Sequence, residues 1–332
     1  MALNMIDFTK KTLNRINKIY NKGITDEEIK KMRELSEIDI NNFLNTGECV
    51  FVHKEILFGE EKSVKVKLEQ SLQTLCAFNI NRSIVQFSSN PSHDSYNSLC
   101  IAYLWDLLTY IQVSHNILES SILYTKADIC LLYIFILTYW PQNVDAVEPL
   151  IIKGLEAIYL DEKLNKYGIE KGDYGRNSIF PLALFLSEKY NRPQDIRNSL
   201  LHFVITPTES YSFVFENIFT TNKETFNECV SKLSAFHINN SKTTDLTYPF
   251  HKEQWIYFPI EIISLIKLRN ICNLPEFPIT HNTVINQFNP FINLSAKNED
   301  IVSVLYEKII SKKKINYHNA LSGQSYHHGD RG

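Results

Sequence analysis

Twelve consecutive residues, Ile129 to Trp140, carry no charge, between Asp128 on one side and Pro141 on the other. A run this apolar must be shielded from water on every side. It falls well short of the roughly 20 residues that a membrane-spanning helix needs. The spacing predicts a buried helix at the centre of the fold, started by Thr125 and Asp128 as a cap and stopped before Pro141.

The rest of the chain repeats apolar residues three and four apart, the period of helices packed by one face. Leu3, Ile6, Leu13, Ile16 and Ile19 predict an opening helix that stops near Gly23. Thr25 and Glu28 have capping-box spacing ahead of a second helix carrying Ile29, Met32, Leu35 and Phe43. The chain breaks around Gly47 and Gly59, and a helical pattern is expected again from Val64 to Phe87. The turn cluster Asn90 to Ser95 leads into a helix through Leu99, Tyr103, Leu107 and Ile111. Further helices are expected at 148–159, at 180–190 and from Pro193. Others should follow Thr221 and Glu224, a second capping-box pair, and cover 255–272 and 301–309. With only 10 glycines and 11 prolines in 332 residues, turn residues are too scarce for a many-stranded sandwich or barrel. The fold class expected is all-α: a multi-helix orthogonal or layered bundle, with room for a short β segment near the C-terminus. One domain is expected over residues 1–311, or two packed halves meeting near 165–178. Residues 312–332 are polar and read as a disordered or tag-like tail, His327 and His328 included.

At 44% hydrophobic and 21% charged residues, the composition is globular. A net charge of −3 is too mild for a nucleic-acid-binding surface, so no nucleic-acid partner is expected. The six cysteines form no C-x-x-C pair and sit mostly among apolar neighbours. This fits reduced thiols in a cytoplasmic protein. The first residues lack the apolar stretch of a secretory signal.

Chemistry-bearing motifs are sparse. Gly168, Gly172 and Gly175 end in neither a phosphate-binding Gly-Lys-Ser/Thr nor a G-x-G-x-x-G turn. The histidines are dispersed, and no H-E-x-x-H or G-x-S-x-G occurs. Cys100 lies near the His93 turn, but a thiol on an apolar helix face is normally inert. No catalytic residue, metal site or cofactor is assigned.

The segment His251-Lys252-Glu253-Gln254-Trp255-Ile256-Tyr257-Phe258-Pro259-Ile260-Glu261 continues as an apolar run to Arg269 and is followed by Phe277-Pro278-Ile279. It resembles the C-terminal part of the Imm49 family of immunity proteins and, as second choice, that of the DUF1911 immunity proteins. The resemblance implies a cytosolic antidote to a polymorphic or type VI secreted toxin. Such a protein neutralises the cognate toxin effector by binding it and occluding its active site, so it is not an enzyme. It also implies structural roles for Trp255 as a buried anchor, Pro259 as a helix start and Glu261 as a network acid. Loop chemistry suggests where the toxin sits, since Tyr, Trp and Arg on loops favour recognition. Tyr167, Asp173, Tyr174 and Arg176 satisfy this best, and the turn of His93, Asp94 and Tyr96 comes second. Two other functions remain open: a helical scaffold or regulatory module that binds a protein, and an enzyme whose site assembles only in space.

Overall fold

The computed structural model describes residues 5–57, 60–114, 116–163, 175–243, 245–279, 283–294 and 300–323. They form thirteen α-helices and one two-stranded sheet. In chain order these are α1 (Met5–Thr25), α2 (Glu27–Thr46), β1 (Val50–Leu57), β2 (Glu60–Lys67), α3 (Leu68–Ser89), α4 (His93–Val113), α5 (Lys126–Tyr139), α6 (Val144–Lys163), α7 (Ile179–Lys189), α8 (Gln194–Leu201), α9 (Glu209–Asn217), α10 (Lys223–Asn239), α11 (Glu253–Tyr257), α12 (Ile260–Ile271) and α13 (Asp300–Gly323). The architecture is the mainly helical multi-helix bundle expected from the sequence. None of the described helices is long and apolar enough to cross a membrane.

All fourteen residues of α5 are buried. The helix is enclosed by α4, α6, α7 and α12. Its cap is the one anticipated: the Thr125 hydroxyl accepts from the Asp128 N–H, and the Asp128 carboxylate accepts from the Thr125 N–H at 2.9 Å. The other two capping boxes are shifted. Helix α1 runs through Gly23, so Thr25 lies in its last turn and bonds Asn21 O, while Asp26 caps α2 by accepting from Glu28 and Ile29. Asn222, not Thr221, caps α10 through the Thr225 N–H. In both places the Asx side chain next in sequence, among the strongest N-caps, takes the cap.

The β segment lies early in the chain and not near the C-terminus. Strands β1 and β2 pair antiparallel from Val50↔Lys67 to Leu57↔Glu60. Residues 60–67, expected to be helical from Val64 on, instead alternate exposed and half-buried positions at their end, Val64 and Val66 against Lys65 and Lys67. The hairpin is pinned by buried Asp39 of α2, which accepts from His53 Nε2 at 3.1 Å and from the Ser71 hydroxyl at 2.7 Å. The three residues do not form a nucleophile relay, because Ser71 donates to the acid and not to the histidine. At the other end, helix α13 continues past Ser311 to Gly323, into the segment read as a tail.

The Tyr110 side chain of α4 reaches across to the backbone of α6 at Gly154. A Cβ there would collide with the hydroxyl of Tyr110, which is fully buried and donates to Leu150 O at 2.7 Å. A buried tyrosine cannot swing aside, so Gly154→Ala should lower stability by about 1–3 kcal/mol, the usual cost of overpacking. Adding Tyr110→Phe should recover most of that loss. Urea unfolding of the two single variants and the double variant measures both effects.

Candidate protein-interaction groove

Helices α2, α3 and α4 lie side by side, and the start of α13 closes one end of the trough between them. The result is a groove of about 470 Å³. Its residues follow from helical spacing. Leu75, Phe78, Asn79, Arg82, Ser83 and Gln86 are one stripe of α3, while Ser98, Ile101, Ala102 and Trp105 are one stripe of α4. Glu37, Ile40 and Asn41 of α2 and Ile301 of α13 complete the wall, and Ile301 is 41% exposed. The floor is apolar. The rim offers amide and hydroxyl groups, the Arg82 guanidinium and the Glu37 carboxylate, which Arg33 reaches.

Phe78 is the aromatic centre of the rim. Tyr20 packs at 5.6 Å between ring centroids, and the Arg33 guanidinium sits 4.3 Å over the ring. Arg33 also reaches Glu37 at 4.0 Å. Arg82 lies 5.9 Å over the same ring and has no ion-pair partner among the described residues. An arginine held beside an aromatic, above an apolar floor, is the chemistry of a protein-recognition surface.

On the other side of α4, one residue past Trp105, a buried charge cluster fixes the helix. Asp106 accepts from the Tyr124 hydroxyl at 2.8 Å and from Gln254 Nε2 at 3.4 Å. Asp128 meets Lys252 Nζ at 3.1 Å and His251 Nε2 at 3.4 Å. Lys252 stands 4.5 Å over the Tyr124 ring. Burial pushes the Asp106 carboxyl upward against the pull of Lys252 and Tyr124, and burial prevails. Burial also pushes Asp128 upward, but Lys252 and His251, in direct contact, outweigh it and hold the carboxyl below its usual range. Lys252 is depressed by burial and more than restored by Asp128 and Asp106, so its net shift is upward. The cluster ties α4 and the start of α5 to the His251–Gln254 segment at α11.

The Trp255, Pro259 and Glu261 side chains lie in the same neighbourhood. Trp255 is fully buried, 4.9 Å from the Tyr103 ring. Pro259 is the N-cap of α12. Glu261 is buried and meets His237 Nδ1 at 2.5 Å, while His237 Nε2 faces Ile256 O at 2.9 Å. A carbonyl only accepts, so Nε2 carries a proton, and a second proton sits between Nδ1 and the carboxylate.

The loop residues expected to meet a toxin fare differently. Tyr167, Asp173 and Tyr174 lie outside the described residues. Arg176 is half-buried, and its Nε donates to Phe203 O at 3.0 Å, so its guanidinium is engaged in holding the chain after α8. His93 and Asp94 are exposed in the first turn of α4. Tyr96, one helical step on, turns inward: it is buried, and its hydroxyl pairs with that of Tyr139. It cannot touch a partner. Cys100 is buried with its thiol pushed up to about 12 by burial, while His93 stands edge-on to Phe291 at 5.8 Å. The groove itself was missed in sequence, although the α3 and α4 stripes were visible as helix faces.

No family model, curated protein or solved structure matches the chain.

Because the Asp128 carboxyl is depressed in the folded state, the unfolded chain takes up its proton first as pH falls. The stabilisation is therefore complete above the ordinary carboxylate value of about 4 and shrinks below it. Asp128→Asn should cost about 3–5 kcal/mol near neutral pH, as expected when one partner of a buried pair is removed. The gap to the parent protein should narrow under acid. Urea unfolding at neutral pH and at a pH below about 4 checks both sign and window.

Proposed function

We propose that this chain is an immunity protein that binds a cognate bacterial toxin effector in the groove between α2, α3 and α4 and thereby blocks the toxin's active site. The observation that carries the reading is the rim of the groove. Phe78 holds two guanidinium groups, and the Arg82 group has no carboxylate partner among the described residues. It stands beside an apolar floor ending at Trp105 and Ala102. A partner that inserts an apolar side chain and presents a carboxylate would satisfy both features at once.

The resemblance of the segment from His251 to Pro290 to immunity proteins supports the identity of that partner as a toxin. The structure's layout is compatible with this division of labour: the motif residues Trp255 and Glu261 are buried in the scaffold, and the groove faces outward on other helices. The cysteines of the described residues are free thiols, as suits the cytosol of the producing cell. Arg82 and Ser98, on the rim, replace the loop around Tyr174 as the contact residues favoured here.

The test is co-purification with the product of the neighbouring gene, paired with rescue of growth. The parent protein should bind and rescue. Arg82→Glu reverses the rim charge and Ser98→Trp fills the groove from its edge. Each should weaken binding at least about tenfold. Unchanged binding in both variants overturns the groove assignment, and no binding or rescue by the parent protein overturns the immunity reading.

A further inference from the structure

Helix α2 ends without a basic residue in its last turn, and its carbonyls need donors. They come from α13. Lys308 Nζ donates to Leu44 O at 2.6 Å, and Lys312 Nζ donates to Gly47 O. Both ammonium groups sit 5.6 Å from the Phe43 ring. Gly47, the C-cap, has φ 77, a conformation that leaves its carbonyl open to this approach. Two residues further on, Cys49 Sγ lies 3.4 Å from Lys312 Nζ.

Cys49 is unlike the other cysteines. Cys76, Cys100, Cys130 and Cys229 are buried, and Cys272 is exposed. Cys49 is half-buried, open enough for a small oxidant to reach it. Its sulfur is held against an amine that also donates to the Gly47 carbonyl. A lysine nitrogen, nucleophilic once it gives up its proton in mildly alkaline solution, and an oxidisable sulfur in contact are set for covalent closure, because the chain has already lost the entropy of bringing them together.

We propose that Cys49 and Lys312 form an oxygen-bridged N–O–S cross-link when the protein is exposed to dioxygen. The reacting forms are the thiol and the neutral amine. The S–H bond and one N–H bond break, and S–O and O–N bonds form around one oxygen atom of dioxygen. The second oxygen atom leaves as water with the two hydrogens released. Sulfur and nitrogen together supply the four electrons that reduce dioxygen. Excess dithiothreitol reverses the step: two dithiols become disulfides, both side chains are restored, and the bridging oxygen departs as water. An inserted oxygen spans the Cys49–Lys312 contact with less movement than a direct S–N bond. The link would lock α13, whose Ile301 forms one wall of the groove, to the turn between α2 and β1. It does not depend on what the groove binds.

Intact-mass measurement and peptide mapping of the full-length protein, aged under dioxygen in mildly alkaline buffer, provide the test. The expected result is a gain of one oxygen less two hydrogens, carried by a peptide pair that joins Cys49 to Lys312. Dithiothreitol should remove it, and Cys272 should stay open to alkylation throughout. Cys49→Ser and Lys312→Met should each abolish the gain. Three results would overturn the proposal: whole oxygen atoms added at Cys49 alone, a loss of two hydrogens without oxygen, or a cross-link that persists in Lys312→Met. If either variant fails to fold, the peptide map of the parent protein decides by itself.

Discussion

A helix that is apolar on every face can stay out of water only if other helices surround it, and α5 sets this demand on the whole molecule. Its fourteen buried residues require neighbours on all sides, which α4, α6, α7 and α12 supply. The difficulty lies at its start, where the capping acid Asp128 is carried inside with the helix. A carboxylate at zero exposure is tolerated only beside cations. Lys252 provides the charge and His251 a second contact, and both come from the segment that leads into α11. The central helix and the C-terminal apolar run are thus joined by charge as well as by packing.

This dependence explains why one side of α4 is held by charge while another lines the trough. Asp106 faces the cluster with Tyr124 and Gln254, while Trp105, Ala102 and Ser98 face the trough beside α3. A recognition surface built on a helix held this firmly loses little conformational entropy when a partner arrives. The same logic separates the residues that resemble an immunity family from the surface proposed to meet the toxin. Trp255, Pro259 and Glu261 build the interior, and the rim around Phe78 and Arg82 is presented by helices from the first third of the chain.

Much of the fold was legible because burial leaves a period in the sequence. The run from Ile129 to Trp140 and the Thr125–Asp128 cap declare themselves in composition and spacing, whereas the single helix expected over 255–272 is two, α11 and α12, parted at Phe258 and Pro259. The hairpin was not legible, although Val64-Lys65-Val66-Lys67 alternates, because so short a stretch of period two is hard to separate from the helix that begins at Leu68. The capping shifts from Thr25 to Asp26 and from Thr221 to Asn222 depend on which side chain reaches the free N–H groups. Spacing alone does not decide that. Tyr96 reads as a turn residue beside His93 and Asp94, yet one helical step sends it into the core. The groove was beyond reach for a simpler reason: its walls come from residues 37–105 and from Ile301, and a helix face seen in sequence does not name the helix opposite.

The lysine contacts of α13 carry a consequence for how the chain is made. Lys308 completes the end of α2 from 264 positions away, and Lys312 does so from 265. A nascent chain emerges from its N-terminus, at a rate of about 5–20 residues per second. The last carbonyls of helix α2 must therefore wait, bonded only to water, until residues 308–312 have left the ribosome. Closure of that contact comes long after α2 itself is made, and it commits two distant stretches of the chain to each other in one event.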